Sequence, residues 1–180
     1  MLKALYAVIL GIFGAGIIHI VILMMIPEFS ERDAWSRLAM VSDLYKPTPL
    51  ETPVEGEPIA QTGDPLITSV ACRFDLGDGV VQLRAPGTVP FWSVSVYNRG
   101  GQNIYSFNDR TAEAGRMDFV VLTPDQMIDV RKDVPEDFQK SIFVETPIGE
   151  GIVVVRAFTP NDSWRKAVAD FLGGLTCTLR

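Results

Sequence analysis

Residues 4–26 form a nearly unbroken apolar run, with 19 hydrophobic side chains in 23 positions, interrupted only by Gly11, Gly14, Gly16 and His19. At 1.5 Å per residue a helix of that length reaches about 34 Å, enough to cross a hydrocarbon core of about 30 Å. An uncleaved anchor and a cleaved signal peptide compete for this pattern. Lys3 gives either one a basic start, but the run is longer than a signal-peptide core and Met24-Met25-Ile26-Pro27-Glu28 offers no small-x-small cleavage site, which favours the anchor. Lys3 precedes the span, whereas Glu28, Glu31 and Asp33 follow it together with Arg32 and Arg37, so the positive-inside rule weakly favours a cytoplasmic N-terminus. Residues 1–26 are therefore expected to hold the chain in membrane lipid by a single pass of the bacterial inner membrane, with the rest in the periplasm.

Beyond the span the pattern changes twice. Ser30 and Asp33 resemble a helix start, and Ala34, Leu38, Val41 and Tyr45 share one helical face, which predicts a juxtamembrane amphipathic helix within 27–45 with Trp35 at the lipid interface. From 46 to 64 periodicity disappears and Pro47, Pro49, Pro53 and Pro58 punctuate an acidic stretch, the composition of a semi-rigid linker; a proline-rich recognition ligand is the other reading, but the basic flank is missing.

From 65 to 180 the period is mostly two. Val70, Cys72, Phe74 and Leu76 alternate with Ala71, Arg73 and Asp75, and Gly77-Asp78-Gly79 predicts a hairpin joining 66–75 to 79–85. Trp92, Val94 and Val96 alternate with Ser93, Ser95 and Tyr97, and Asn98-Arg99-Gly100-Gly101 turns this strand into 103–107. A strand at 117–122 and a second hairpin, 141–146 with 151–158, complete the set, with short helices over 124–131 and about 162–172, the latter opened by Asn161 or Asp162 and stopped by Gly173-Gly174. The predicted fold is mainly β: one N-terminal transmembrane helix, then a compact antiparallel β-sandwich or rolled sheet with two short helices.

Charge narrows the function. All 22 acidic residues and all but one of the 16 Lys and Arg lie after residue 26, so the exported part is acidic, which excludes a general nucleic-acid surface. His19, in the span, is the only histidine, so the exported part has no His-dependent triad and lacks the commonest zinc ligand; no cofactor and no metal site are expected. Cys72 and Cys177 are either a disulfide tying the tail to an early strand or two buried thiols, and an oxidising compartment favours the bond. Asn108, Asp109 and Arg110 follow an aromatic strand and are candidates for a pocket mouth, with Arg73 and Arg84 as further ligand-binding candidates; local backbone capping is the competing explanation for the Asn108 cluster. In the helix, Ala7, Gly11, Ala15 and His19 recur every four residues, a stripe suited to close helix packing, although small residues are also common in spans and His19 has water or headgroups as alternative partners.

Asp75-Leu76, Gly79-Val80-Val81-x-Leu83-x-x-Pro86, Phe91-Trp92-Ser93-Val94-Ser95-Val96-Tyr97-Asn98 and Asn103-Ile104-Tyr105-Ser106 together resemble the central β region of the family called domain of unknown function 1254, over about residues 64–123. Long members of that family carry a second domain, numbered 1214. Gly63-Asp64-Pro65-Leu66-Ile67-Thr68 departs from their usual opening, and the resemblance is to a short, membrane-anchored branch. It implies a β domain and no catalytic residues. Two classes of function follow: a non-catalytic envelope module for protein interaction or assembly, whose partner is an envelope protein such as one bearing domain 1214, or a small-ligand binder or histidine-independent enzyme using a polar sheet face. The tether and the missing histidine favour the first.

Overall fold

A computed structural model describes residues 2–29, 34–54, 57–59 and 64–180. The chain divides into two units, 1–32 and 33–180. The first is helix α1 (Leu2–Phe29), in which Leu2–Met25, with mean hydropathy 2.6, is long and apolar enough to cross a membrane. The helix continues past residue 26 through Pro27.

The second unit opens with a six-residue helix α2 (Ala34–Ala39). It continues through β1 (Thr48–Pro49), β2 (Pro53–Val54), β3 (Glu57–Pro58), β4 (Ile67–Asp75), β5 (Val81–Arg84), β6 (Trp92–Asn98), β7 (Asn103–Asn108) and β8 (Asp118–Leu122). Helix α3 (Pro124–Lys132), β9 (Ile142–Glu145), β10 (Glu150–Phe158), helix α4 (Arg165–Gly173) and β11 (Thr176–Leu179) complete it. A five-stranded antiparallel sheet has the order β1-β4-β10-β6-β7, and a four-stranded sheet has the order β11-β5-β8-β9. Their inward residues share one core: Val70, Cys72, Phe74, Trp92, Val94, Val96, Val153 and Val155 from the first, and Val81, Leu83, Phe119, Val121 and Val144 from the second. Val168, Phe171 and Leu172 of α4 close that core at one side. Full burial of each large apolar side chain contributes about 1.5–3 kcal/mol, so the sandwich rests chiefly on this layer.

Cys72 in β4 is disulfide-bonded to Cys177 in β11, which fastens one sheet to the other through the core. Main-chain bonds between Val80 and Arg180 run in both directions at 3.2 and 2.9 Å beside it. Gly79, at φ +149°, lies against the Arg180 carbonyl oxygen, which would stand 2.6 Å from a Cβ. Only glycine fits this backbone and this approach.

Both predicted two-strand hairpins across 77–79 and 147–150 are corrected. The Gly77-Asp78-Gly79 turn passes the chain from β4 in one sheet to β5 in the other, because β5 pairs with β11 and β8. β9 does not pair with β10; it lies parallel to β8, while β10 sits between β4 and β6. The run Gly151–Val155 is buried throughout, as a strand covered on both faces must be, and that suits a central position. The parallel β8–β9 pair departs from the all-antiparallel expectation, and its crossover carries α3, which starts with a capping box between Thr123 and Gln126.

The juxtamembrane expectation also changes. Ser30 and Asp33 lie outside the described residues, α2 ends at Ala39, and Trp35, expected at the lipid interface, is 7% exposed within the β unit. The stretch read as a linker folds back on the sheet: β1 pairs with β4, and Leu50 and Ile59 are buried with Trp35 and Leu38 against Ala71, Ile152 and Val154.

Candidate functional site

Alternation along β4, β10 and β6 sends one set of side chains into the core and the other to the outer face of the five-stranded sheet. On that face, Ala71, Ile152 and Val154 form an apolar floor. Leu38, Leu50 and Ile59 wall it on one side, while Tyr97, Gly101 and Arg156 border it on the other, leaving a recess of about 200 Å³. The register explains the composition: Ile152 stands opposite Tyr97, Val154 opposite Ser95 and Arg156 opposite Ser93.

The polar border is an ordered hydrogen-bond chain. Arg156 donates through Nη1 to Ser95 Oγ and through Nη2 to Tyr97 OH, both at 3.0 Å. Ser106 Oγ donates to Ser95 Oγ at 3.1 Å, and Asn103 Nδ2 donates to Ser106 Oγ at 2.9 Å. No ion pair reaches Arg156 among the described residues. Its guanidinium is thus positioned by neutral oxygens beside an apolar recess.

The five residues proposed from sequence as ligand contacts do not come together. Arg73 reaches the same sheet face but is 8% exposed, donates through Nη2 to the Ser42 carbonyl at 2.8 Å and lies 4.9 Å from the centre of the Trp35 ring. Burial pushes its guanidinium pKa down, against the opposing charges of Asp43 and Glu150. It secures the segment that covers the floor. Arg84 lies in the other sheet, where Nε meets Asp118 Oδ2 at 2.9 Å and Nη2 donates to the Asp137 carbonyl. The second Asp118 oxygen accepts from Gln82 at 3.1 Å and Ser141 at 2.6 Å, so this cluster fastens the 136–141 loop to the sheet.

Asn108 caps the short 3-10 turn Asp109–Thr111, accepting from the Arg110 main-chain N–H at 3.1 Å and from Thr111 Oγ1 through its own carbonyl at 2.7 Å. The expected pocket mouth is therefore a capped turn, and Asn108, Asp109 and Arg110 are not among the residues lining the recess. Asp109 Oδ1 is buried without a partner among the described residues. In the helix unit, Ala7, Gly11, Ala15 and His19 occupy one stripe, and a Cβ added at Gly11 meets nothing within 4 Å. Among the described residues no group of three or more His, Cys, Asp or Glu side chains has the arrangement to hold a metal ion.

Arg156 escaped the sequence reading although it left a signal: it is the single charge in the apolar run Ile152–Phe158. Ser95 and Tyr97 were legible as one strand face. What alternation along one strand does not give is the neighbour, and it is the pairing of β10 with β6 that brings Arg156 to them.

The family model described as "Protein of unknown function (DUF1254)" matches residues 59–178, extending the resemblance through β11. Among solved structures, the VPA0106 protein from Vibrio parahaemolyticus superposes with a TM-score of 0.60 at 14% identity, over 86% of this chain and 36% of that one. An uncharacterised protein from Burkholderia cenocepacia gives a TM-score of 0.46 at 14% identity, over 72% of this chain and 35% of that one. This chain thus spans little more than a third of either, and the first likeness concerns the fold alone. No curated protein sequence matches. With its family match running over most of the β unit, the chain belongs to the DUF1254 family.

Proposed function

We propose that this protein is a membrane-anchored module of the bacterial cell envelope whose periplasmic β domain binds a partner and performs no catalysis. On this reading α1 is an inner-membrane anchor with its N-terminus in the cytoplasm, as in a short, membrane-anchored branch of the family. The buried disulfide, suited to an oxidising compartment, supports an exported β domain. The partner is an envelope protein, with one carrying domain 1214 as the specific candidate.

The observation that carries the reading is the outer face of the five-stranded sheet: an apolar recess bordered by Arg156, which two hydroxyls hold in place without neutralising it. Recognition uses this combination, an apolar contact with a few fixed polar groups. Arg84, by contrast, is already matched to Asp118, and Arg73 is stacked near Trp35.

The test is co-purification of the full chain from membranes in mild detergent, comparing wild type with Arg156→Ala, Val154→Glu and the surface control Lys166→Ala. The partner should be recovered with wild type and the control and be lost with both face variants, each of which must retain the disulfide. Identical recovery from all four contradicts the reading. Protease added to spheroplasts should digest the β domain, and full protection would reverse the topology.

A further inference from the structure

We propose that residues 35–50 form a releasable strap over the outer face of the five-stranded sheet, and that its opening governs access to the apolar floor. This rests on the reading of that face as a recognition surface and assigns its regulation.

The floor is closed in the structure. Ala71, Ile152 and Val154 are 0%, 4% and 7% exposed, so a partner reaches them only when their cover moves. That cover is the protein's own chain. Trp35, Leu38 and Leu50 of the strap share one apolar cluster with the floor, Leu44 packs against it, and Ile59 completes it from beyond the strap. The core between the two sheets is a separate cluster, which gives the strap an opening equilibrium of its own.

Trp35 and Arg73 hold the strap down. The Trp35 ring lies 4.9 Å from the Arg73 guanidinium and 5.9 Å from that of Arg99, and Arg73 Nη2 donates to the Ser42 carbonyl at 2.8 Å. Three features work against closure. Along β4 the pairing is thin: Tyr45 and Leu50 donate main-chain N–H groups to the Arg73 and Ser69 carbonyls at 2.9 and 3.0 Å, but Pro47 and Pro49 between them have no N–H to give. Tyr45 sits at φ +63°, a left-handed backbone that is costly for a residue with a side chain. Ser69, which stands opposite Arg156, and Arg73 both face outward from β4, and Ser69 Oγ and Arg73 Nε are buried with no partner among the described residues. Water satisfies both atoms once the strap lifts. The closed strap is thus anchored by a few apolar side chains and opposed by strain and orphaned polar atoms in the same stretch.

The experiment follows amide hydrogen exchange by NMR on the full chain in detergent micelles and measures partner binding to the same variants. In wild type the Tyr45 and Leu50 amides should exchange about a hundredfold or more faster than those of Val153, Val154 and Val155 in the central strand β10. Trp35→Ala removes an anchor that does not line the recess. It should speed strap exchange about tenfold, leave β10 unchanged and strengthen partner binding by the same factor, because both readouts follow the open fraction. Ser69→Ala removes an unpartnered hydroxyl from the closed state, so it should slow strap exchange several-fold and weaken partner binding to match. This second variant decides the matter should Trp35→Ala fail to fold. The strap is overturned if its wild-type amides are as slow as those of β10, if Trp35→Ala speeds both alike, or if that variant speeds the strap and leaves partner binding unchanged or weaker. The recognition reading fails separately: equal partner recovery from wild type and Arg156→Ala removes it, whereas slow strap amides with Arg156-dependent recovery remove the strap and leave the surface.

Discussion

Cys72, in the second strand of the five-stranded sheet, is covalently joined to Cys177, in the edge strand of the four-stranded sheet, with their Cα atoms 6.6 Å apart and a sequence separation of 105 residues. In the chain-entropy description a loop of that size is worth up to about 4.7 kcal/mol, and removal of a native disulfide costs about 2–5 kcal/mol. Cys72→Ala/Cys177→Ala should therefore unfold at markedly lower urea than wild type. Intact-mass measurement on protein kept from reductants checks the bond itself, and two free thiols there would refute it.

Tyr45 links the segment after α2 to the turn after β4. Its hydroxyl donates to Asp78 Oδ2 at 2.6 Å, with the Asp75 carbonyl oxygen 2.9 Å away, and its backbone sits at φ +63°. Burial first, then the bond to the Asp78 carboxylate, pushes the phenol pKa up to about 12 from 10.0. The folded state thus holds this proton more tightly than the unfolded chain. The resulting stability is complete below the unfolded pKa of 10.0 and is lost as pH rises through about 12. The stability difference between wild type and Tyr45→Phe, followed by urea unfolding across that window, should shrink as pH rises; a difference that stays constant or grows contradicts the assignment.

The apolar span offers a separate test. Gly11 lies between Ala7 and Ala15 on one face of α1, with open space where a Cβ would stand. Helices associate in lipid by close backbone approach, since apolar side chains gain little by leaving lipid for one another. Gly11→Leu fills the stripe while keeping the helix apolar, so crosslinking or reporter-based association of the helix should weaken with membrane insertion unchanged. Equal association of the two forms removes the assembly role.

How far the sequence could be read depended on whether a feature was local. The apolar span, the alternation of Trp92, Val94 and Val96, and the Asn161 and Gly173-Gly174 signals around α4 are written in neighbouring residues, and they appear where those residues place them. Strand partners are not local. Gly77-Asp78-Gly79 has the chemistry of a hairpin turn, yet the pull of β11, fastened by Cys177, gives β5 a different neighbour. The unbroken apolar run Ile152–Val155 is the sign in the sequence that β10 is central and covered on both faces; taken as half of a hairpin, it hides the role of Arg156. Trp35 illustrates the same limit, since its aromatic ring suits a lipid interface and equally suits the guanidinium groups of Arg73 and Arg99, at 4.9 and 5.9 Å.

On the proposed function, the protein meets its partner at the outer face of the five-stranded sheet. The most direct measurement places a photo-crosslinking side chain at the exposed position Asn103, beside the Ser106–Ser95–Arg156 chain, and at exposed Asp129 on α3, which packs on the other sheet through Met127. Irradiated in intact cells, the probe at 103 should give a discrete adduct that Arg156→Ala abolishes, and the probe at 129 should give none. Adducts of equal yield from both positions, or an adduct at 103 that persists without Arg156, would contradict it.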